Sequence, residues 1–301
     1  YRGEQIHLRK KVAIKILRTG LRSLPDLVAR FEREAIAGAH VQHPNVVSAI
    51  DFGQLEDRSY FLVLEFVEGT PLREVIAKGP LQPLRALRIA RQIASALEAV
   101  HEKSIVHRDV KPHNIMLDAR DQVKLIDFGL AKVRVELLSS ATRAAASRPA
   151  KALTTAGEVF GTIAYLAPEA ARGMDAVDSR ADLYALGIVL YQMLTGVHPF
   201  EAKDAISLFK RQRFEDAPPI HERAPGVSVP PGVEPIVMRL IQRDPELRYA
   251  TATEVVILQH FRERTHPFGT ARLVARCLPR ARLEVVRAGH DGNLERPVQV
   301  P

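Results

Sequence analysis

Apolar and polar residues along the chain change period several times, and each change predicts an element. Residues 10–17, "KKVAIKIL", form a short apolar run rich in β-branched side chains and read as a strand. Ser23-Leu24-Pro25-Asp26 then has the makings of a helix start, with a capping Ser, an early Pro and an acidic residue. That helix should run to about His40, with Val28, Phe31, Ala35 and Ala39 on one face. Strand-like runs return at Val46–Phe52 and Tyr60–Phe66, and Glu68-Gly69-Thr70-Pro71 reads as a turn and hinge. Beyond it Leu84, Leu87, Ile93, Leu97 and Val100 repeat at helical spacing. Two short strands follow, Ile115–Leu117 and Val123–Ile126. Residues 139–158 have no apolar period and read as a mobile loop. "DLYALGIVLYQMLTG" (182–196) is apolar almost all round, which predicts a buried helix. "APPIHERAPGVSVPPGVEP" (217–235) reads as a proline-rich connection, and the arginine-studded stretch from about 266 as a tail or linker. The order is a small strand-rich part followed by a larger helical part.

Composition narrows the class. The 301 residues suit one large domain or two lobes, and 46% hydrophobic with 26% charged residues is ordinary for a globular chain. The single cysteine, Cys277, excludes an intramolecular disulfide and fits a reducing, cytoplasmic setting. No apolar run is long enough to cross a bilayer, so no membrane contact is expected from this chain. A net charge of +8 arises from scattered Lys and Arg, with no basic run and no Trp, so nucleic acid is not an expected partner.

Chemistry concentrates in "HRDVKPHNIM" (107–116), where Asp109, Lys111 and Asn114 share one tight loop, and in "LIDFGLAK", where Asp127 follows. A carboxylate and a carboxamide at neighbouring strand ends make a hard oxygen site suited to Mg²⁺. A second carboxylate can take a hydroxyl proton, and a nearby Lys can neutralise phosphate charge. These are the parts of a phosphoryl-transfer site, in which catalysis is mostly positioning and charge stabilisation. Lys15 stands out for a different reason, as a cation at the end of the apolar run Val12-Ala13-Ile14.

"VAIK", "HRDVKPHN", "DFG" and "APE" occur in the order found in protein kinases, and over roughly residues 1–262 the chain resembles that family. "DVKP", and Thr162 in "GTIAYLAPE", resemble the serine/threonine branch, and the whole looks most like bacterial kinases of the eukaryotic type. The resemblance implies an α+β, bilobal fold: residues 1–67 as a partial small lobe with an antiparallel sheet, 68–265 as a mainly helical large lobe, and 266–301 as the tail. It implies ATP and Mg²⁺ as cofactors and protein Ser/Thr hydroxyls as acceptors. Lys15 resembles the lysine that reaches the nucleotide phosphates, and Glu34 its ion-pair partner. Asp109 resembles the catalytic base, Lys111 the lysine that steadies the transferred group, and Asn114 and Asp127 the metal ligands. Leu64 resembles the gatekeeper, the backbones of Glu65 and Val67 would bond adenine, and Ala13 and Met116 would sandwich it. Asp182 resembles the buried anchor of the catalytic loop, and Glu169 with Arg248 a buried ion pair.

Other expectations are structural. His107 reads as a packed histidine, His43-Pro44-Asn45 as a turn, and His198, His221, His260 and His266 as surface residues. Gly3 is the only glycine before Lys15, so the family's glycine-rich phosphate loop lies outside this chain, weak ATP binding is expected, and the Lys15 strand risks being an unpaired edge. Gly38 stands where the family usually has a bulky apolar residue, which should weaken its helix and its packing. Arg30, Arg108 and Lys132 match positions that hold a phosphate on the long loop between Asp127 and Glu169. Thr154 or Thr155 would carry it, with Glu158 as a permanent alternative. Two other readings stay open: a non-catalytic kinase-like scaffold, and a small-molecule phosphotransferase of related fold. The acceptor protein, the oligomeric state and membrane anchoring of the parent chain are likewise open.

Overall fold

The computed structural model describes residues 1–17, 25–127, 161, 163–173, 177–230 and 232–256, without the side chains of 25–27, 29, 30, 33, 34 and 37. The chain divides into the units Tyr1–Ile257 and Leu258–Pro301, and all described residues belong to the first. The expected loop 139–158, the tail, Lys132, Thr154, Thr155, Glu158, Thr162, His260 and His266 therefore lie outside the described residues, as does the Arg30 side chain.

Strands β1 (Arg2–Gln5), β2 (Lys10–Leu17), β3 (Ala49–Gln54) and β4 (Tyr60–Glu65) form an antiparallel sheet in the order β1-β2-β4-β3. β2 is therefore not the edge strand expected from the sequence. The register Arg2↔Ala13 to Gln5↔Lys10 covers its first half, and Tyr1 extends the cover by exchanging backbone bonds with Ile14. Lys15, Ile16 and Leu17 pair with Leu62, Phe61 and Tyr60 of β4.

Helix α1 (Pro25–His40) crosses this sheet, with proline at its first position, where the missing N–H costs nothing. Its buried face is Phe31, Ala35 and Gly38, while Ala39, expected inward, is exposed. Gly38 takes the inward place, and a Cβ added there would stand 3.1 Å from that of Ala49. The helix thus packs on β3 through two small residues, and no packing is forfeited at Gly38. Phe31 contacts the Phe52 ring at a centroid separation of 6.0 Å, and Phe52 in turn stacks on Tyr60.

The third strand begins at Ala49 and not at Val46 as expected. Residues 45–47 serve another purpose. Leu125 N–H donates to the Asn45 carbonyl at 2.8 Å and Val47 N–H donates to that of Leu125 at 3.0 Å. The Asn45 amide adds bonds to the Val123 carbonyl and to Gln92, and His43 reaches Ser95. His43-Pro44-Asn45 is therefore more than a turn: it fastens the small lobe to the large one.

In the large lobe, a second sheet joins β5 (Thr70–Pro71), β6 (Ile115–Leu117) and β7 (Val123–Leu125). Gly69 precedes it because a Cβ there would collide with the Leu117 carbonyl. Helix α2 (Leu72–Ile76) follows, then α3 (Pro83–His101), whose residues Leu87, Ile93, Leu97 and Val100 are buried as predicted, though Leu84 is 48% exposed. Helix α4 (Arg180–Thr195) is buried along nearly its whole length, as its unbroken apolar pattern predicted. Helix α5 (Ala205–Phe214) is capped by the Asp204 carboxylate, which accepts from Ser207 N–H at 2.9 Å. The proline-rich stretch is more than a connection, since it holds the short helix α6 (Ile220–Arg223) and the start of α7 (Val233–Leu240). Helix α7 lies so close to α4 that a Cβ on Gly187 would come within 2.6 Å of Leu240 and Ile241.

Candidate active site

Asp182, in the first turn of α4 and 1% exposed, organises the loop from His107 to Asn114. One carboxylate oxygen accepts from the His107 N–H and from His101 Nε2, and the other from the Arg108 N–H, each at 2.8 Å. These bonds hold Arg108 at φ +63°, a left-handed conformation costly for a side chain of its size. His107 is fully buried, and burial pushes its pKa below the ordinary value, so the ring stays neutral. Its Nδ1 accepts from the Asp109 N–H at 3.3 Å. His107 is a packing and bonding residue, as the sequence predicted.

The rest of the loop closes around Asp109. Lys111 Nζ lies 2.8 and 2.9 Å from the two Asp109 carboxylate oxygens. A 3-10 turn (Pro112–Asn114) brings Asn114 back, and its amide nitrogen donates to the Asp109 carbonyl at 2.9 Å and carboxylate at 2.8 Å. With the nitrogen so engaged, the acceptor left to Asn114 is its side-chain carbonyl, the hard oxygen a divalent cation takes. The Asn114 backbone carbonyl accepts from Ile126 N–H at 2.9 Å, which sets Asp127 beside the loop, also at a left-handed φ of +63°. Asp127 forms an ion pair with Lys15 from β2, so groups from both lobes converge. Both side chains keep about a third of their surface open, 29% for Lys15 and 33% for Asp127. Among the described residues no group of three or more His, Cys, Asp and Glu gathers as a metal centre. An Asp–Asn pair fits a magnesium ion that draws its remaining ligands from phosphate and water.

Where β4 leaves the small lobe, Leu64 is 5% exposed and pairs across the sheet with Ala13. Glu65, the last residue of β4, and Val67, in the connection that follows, are half-buried, and Met116 is half-buried on β6. Of the residues singled out in the sequence, Asp109, Lys111 and Asn114 are bonded to one another and Lys15 to Asp127, and the Ile126–Asn114 backbone bond sets the two groups side by side. Ala13, Leu64, Glu65, Val67 and Met116 lie on the strands and connection bordering them. Glu34 is on α1, and its side chain lies outside the described residues.

The supporting layer includes residues that sequence reasoning read wrongly or missed. His198, expected at the surface, is half-buried, and its Nε2–H donates to the Ala164 carbonyl at 2.8 Å while Nδ1 accepts from Phe200 N–H at 3.1 Å. Gln212 donates to the same Ala164 carbonyl at 2.7 Å, so two side chains clamp the segment leading to Glu169. His221 is exposed as expected. Glu169 and Arg248 form the anticipated pair, two bonds of 2.7 and 2.8 Å with both residues buried. His101, Asn45 and Lys124 were missed. Lys124 carried the signal that singled out Lys15, a lone cation in an apolar strand.

The Protein kinase domain family matches residues 1–261. The chain is 40% identical over 257 residues to the serine/threonine-protein kinase pkn3 of Myxococcus xanthus, covering 84% of this chain and 45% of that protein. It is 42% identical to PrkC of Bacillus subtilis (85% and 37% covered) and 38% identical to PknB of Mycobacterium tuberculosis (84% and 39% covered). It thus spans less than half the length of these relatives. Among solved structures, Rad53 in complex with AMP-PNP superimposes with a TM-score of 0.63 at 27% identity, over 82% of this chain and 57% of that one. With most of its length matched in both sequence and fold, the chain belongs to the protein kinase family.

Proposed function

We propose that this chain carries the catalytic domain of a serine/threonine protein kinase, moving the γ-phosphate of MgATP to Ser and Thr hydroxyls of proteins. The observation that carries the reading is the meeting of two groups, the Lys15–Asp127 ion pair and the Asp109–Lys111–Asn114 cluster, tied together by the backbone bond from Ile126 to Asn114. The names of the bacterial relatives support it, and nothing favours a scaffold or a small-molecule phosphotransferase.

Each residue has a task it is chemically equipped for. Asp109, oriented by Lys111 and Asn114, accepts the proton of the attacking hydroxyl and aligns its oxygen. Lys111 holds an ammonium beside that carboxylate, where it can offset the charge of the group in transit. Lys15 binds phosphate oxygens of the nucleotide, and Asp127 with the Asn114 carbonyl holds magnesium. When bound, the magnesium ion withdraws charge from the phosphates and links them to the protein. Ala13 and Met116 flank the adenine, Leu64 limits the depth of its slot, and the backbones of Glu65 and Val67 bond its edge. Glu34 steadies Lys15. The setting is cytoplasmic, in keeping with the lone cysteine and with the lack, among the described residues, of a helix able to cross a membrane.

The test is transfer of labelled phosphate to a protein acceptor by Lys15→Met and Asp127→Asn. Each should lower turnover about a hundredfold or more with an unchanged circular dichroism spectrum. Near-normal turnover by either variant overturns the assignment.

A further inference from the structure

Lys124 is the middle residue of β7, between the buried Val123 and Leu125. It is the cross-strand partner of Met116 on β6. Its ammonium does not turn to solvent. It lies 2.8 Å from a Glu65 carboxylate oxygen and 3.3 Å from the Val46 carbonyl. Glu65 is the last residue of β4, where the connection between lobes begins, and the carboxylate oxygen facing Lys124 also accepts from Ser48 N–H at 3.5 Å. The Glu65 backbone N–H meanwhile donates to the Ser48 carbonyl at 2.9 Å. One lysine therefore joins three pieces: the connection at Glu65, the fastening segment at Val46, and the β6–β7 hairpin that carries Met116.

The ion pair is of the kind that has an effect. Only 22% of the Lys124 side chain and 30% of the Glu65 side chain are open to solvent, so the pair is weakly screened, and each partner has a further hydrogen bond fixing its position. An ordinary surface pair lacks both features. Arg85 and Asp121 supply a comparison on the other side of the same hairpin. They form a two-bond pair of 2.7 and 2.8 Å, but with 43% and 37% of their side chains exposed.

Resting on the kinase reading above, we propose that Lys124 is a positioning residue for the adenine slot. It sets the separation between the slot's edge, the backbone at Glu65 and Val67, and its floor, Met116. Lys124 makes no contact with the nucleotide in this scheme. It acts through the Glu65 carboxylate on the backbone groups that bond the base, and through the shared β6–β7 pairing on the side chain beneath it. Its effect is thus confined to recognition of the base and leaves phosphate binding and the transfer step alone.

The measurement is a comparison of Lys124→Met, Glu65→Gln, the double variant and Arg85→Met in the whole protein. It reads KM for ATP, kcat toward a protein acceptor, and the inhibition constant of adenosine, which has the base but no phosphates. Lys124→Met and Glu65→Gln should each raise KM for ATP about three- to tenfold and raise the adenosine constant by the same factor. The double variant should be no worse than either single one, and kcat should stay within about twofold of the parent. Arg85→Met should leave both adenosine and ATP recognition unchanged. Exchange of the charges, Lys124→Glu with Glu65→Lys, should restore part of the loss. An unaltered adenosine constant in Lys124→Met overturns the proposal, as do additive effects of Lys124→Met and Glu65→Gln or an equal effect of Arg85→Met. If the parent protein transfers phosphate to no acceptor and adenosine does not bind it, the kinase reading itself has failed and the proposal falls with it.

Discussion

At the scale of single residues, one buried and one half-buried histidine shape how the protein responds to acid. His107 and His198 both have pKa values below the ordinary one, in each case chiefly because burial penalises the charged ring. The folded state therefore binds fewer protons than the unfolded state, whose histidines titrate near the usual value of about 6.5. Stability from these rings is complete above that value and is lost as pH falls below it. Each ring adds a slope of up to about 1.4 kcal/mol per pH unit. Urea midpoints should be level between pH 8 and 7 and decline toward pH 5. His198→Gln should be less stable at pH 8, having lost a bond to the segment before Glu169, yet should show a shallower decline. An equally steep decline would mean that His198 does not titrate on unfolding. A composition count could not have revealed this, because a histidine's surroundings come from distant segments, here Ala164 and Phe200.

At the scale of elements, the strands and helices with a clear period were the legible ones. Helix α4 announced itself by an unbroken apolar sequence, and β2 by its β-branched residues. What failed was one edge of a helix's inward face, since Phe31 and Ala35 are buried as expected. In α1 the expected stripe included Ala39, whereas the structure turns Gly38 inward, because the nearest part of the sheet is the backbone of β3 around Ala49. No local pattern could disclose that a missing side chain was matched by another small residue across the interface. The consequence is measurable. Gly38→Leu should destabilise the protein by about 1–3 kcal/mol through overpacking, despite the better helix propensity of leucine. Gly187→Val should do the same where α4 meets α7. Chemical denaturation checks both, and a stabilised Gly38→Leu would show that space does exist there.

At the scale of the whole molecule, the lobes are held by contacts that only the folded chain brings together. The residues proposed for phosphoryl transfer were legible because their chemistry is dense in sequence, with Asp109, Lys111 and Asn114 inside one loop. The fastening of Asn45 to Val123 and of Lys124 to Glu65 was not, since each spans many residues and each partner alone looks unremarkable. The Glu169–Arg248 pair was anticipated from resemblance, and the structure adds its surroundings. Arg248 also donates to the carbonyls of Arg180, Gln242 and Arg243 and lies over the Tyr184 ring at 4.8 Å. Arg248→Met should leave Glu169 ionised and unpaired in the interior, costing about 3–5 kcal/mol. Replacing both residues by apolar ones of similar size should recover much of that loss. A single variant as stable as the parent in urea would show that water reaches Glu169.

The mounting of the loop from His107 to Asn114 has a consequence in time. The amide hydrogens of His107 and Arg108 are bonded to Asp182, and Asp182 belongs to the most deeply buried helix among the described residues. Loops ordinarily exchange these hydrogens with solvent through small local openings. Here a local opening would have to break bonds to a carboxylate held in the core, so they should be freed chiefly when α4 leaves the core. Their exchange with deuterated water should be as slow as that of α4 itself and should quicken with denaturant as steeply as global unfolding does. The segment that carries Asp109, the proposed proton acceptor, is, by this criterion, among the last of the described parts to loosen.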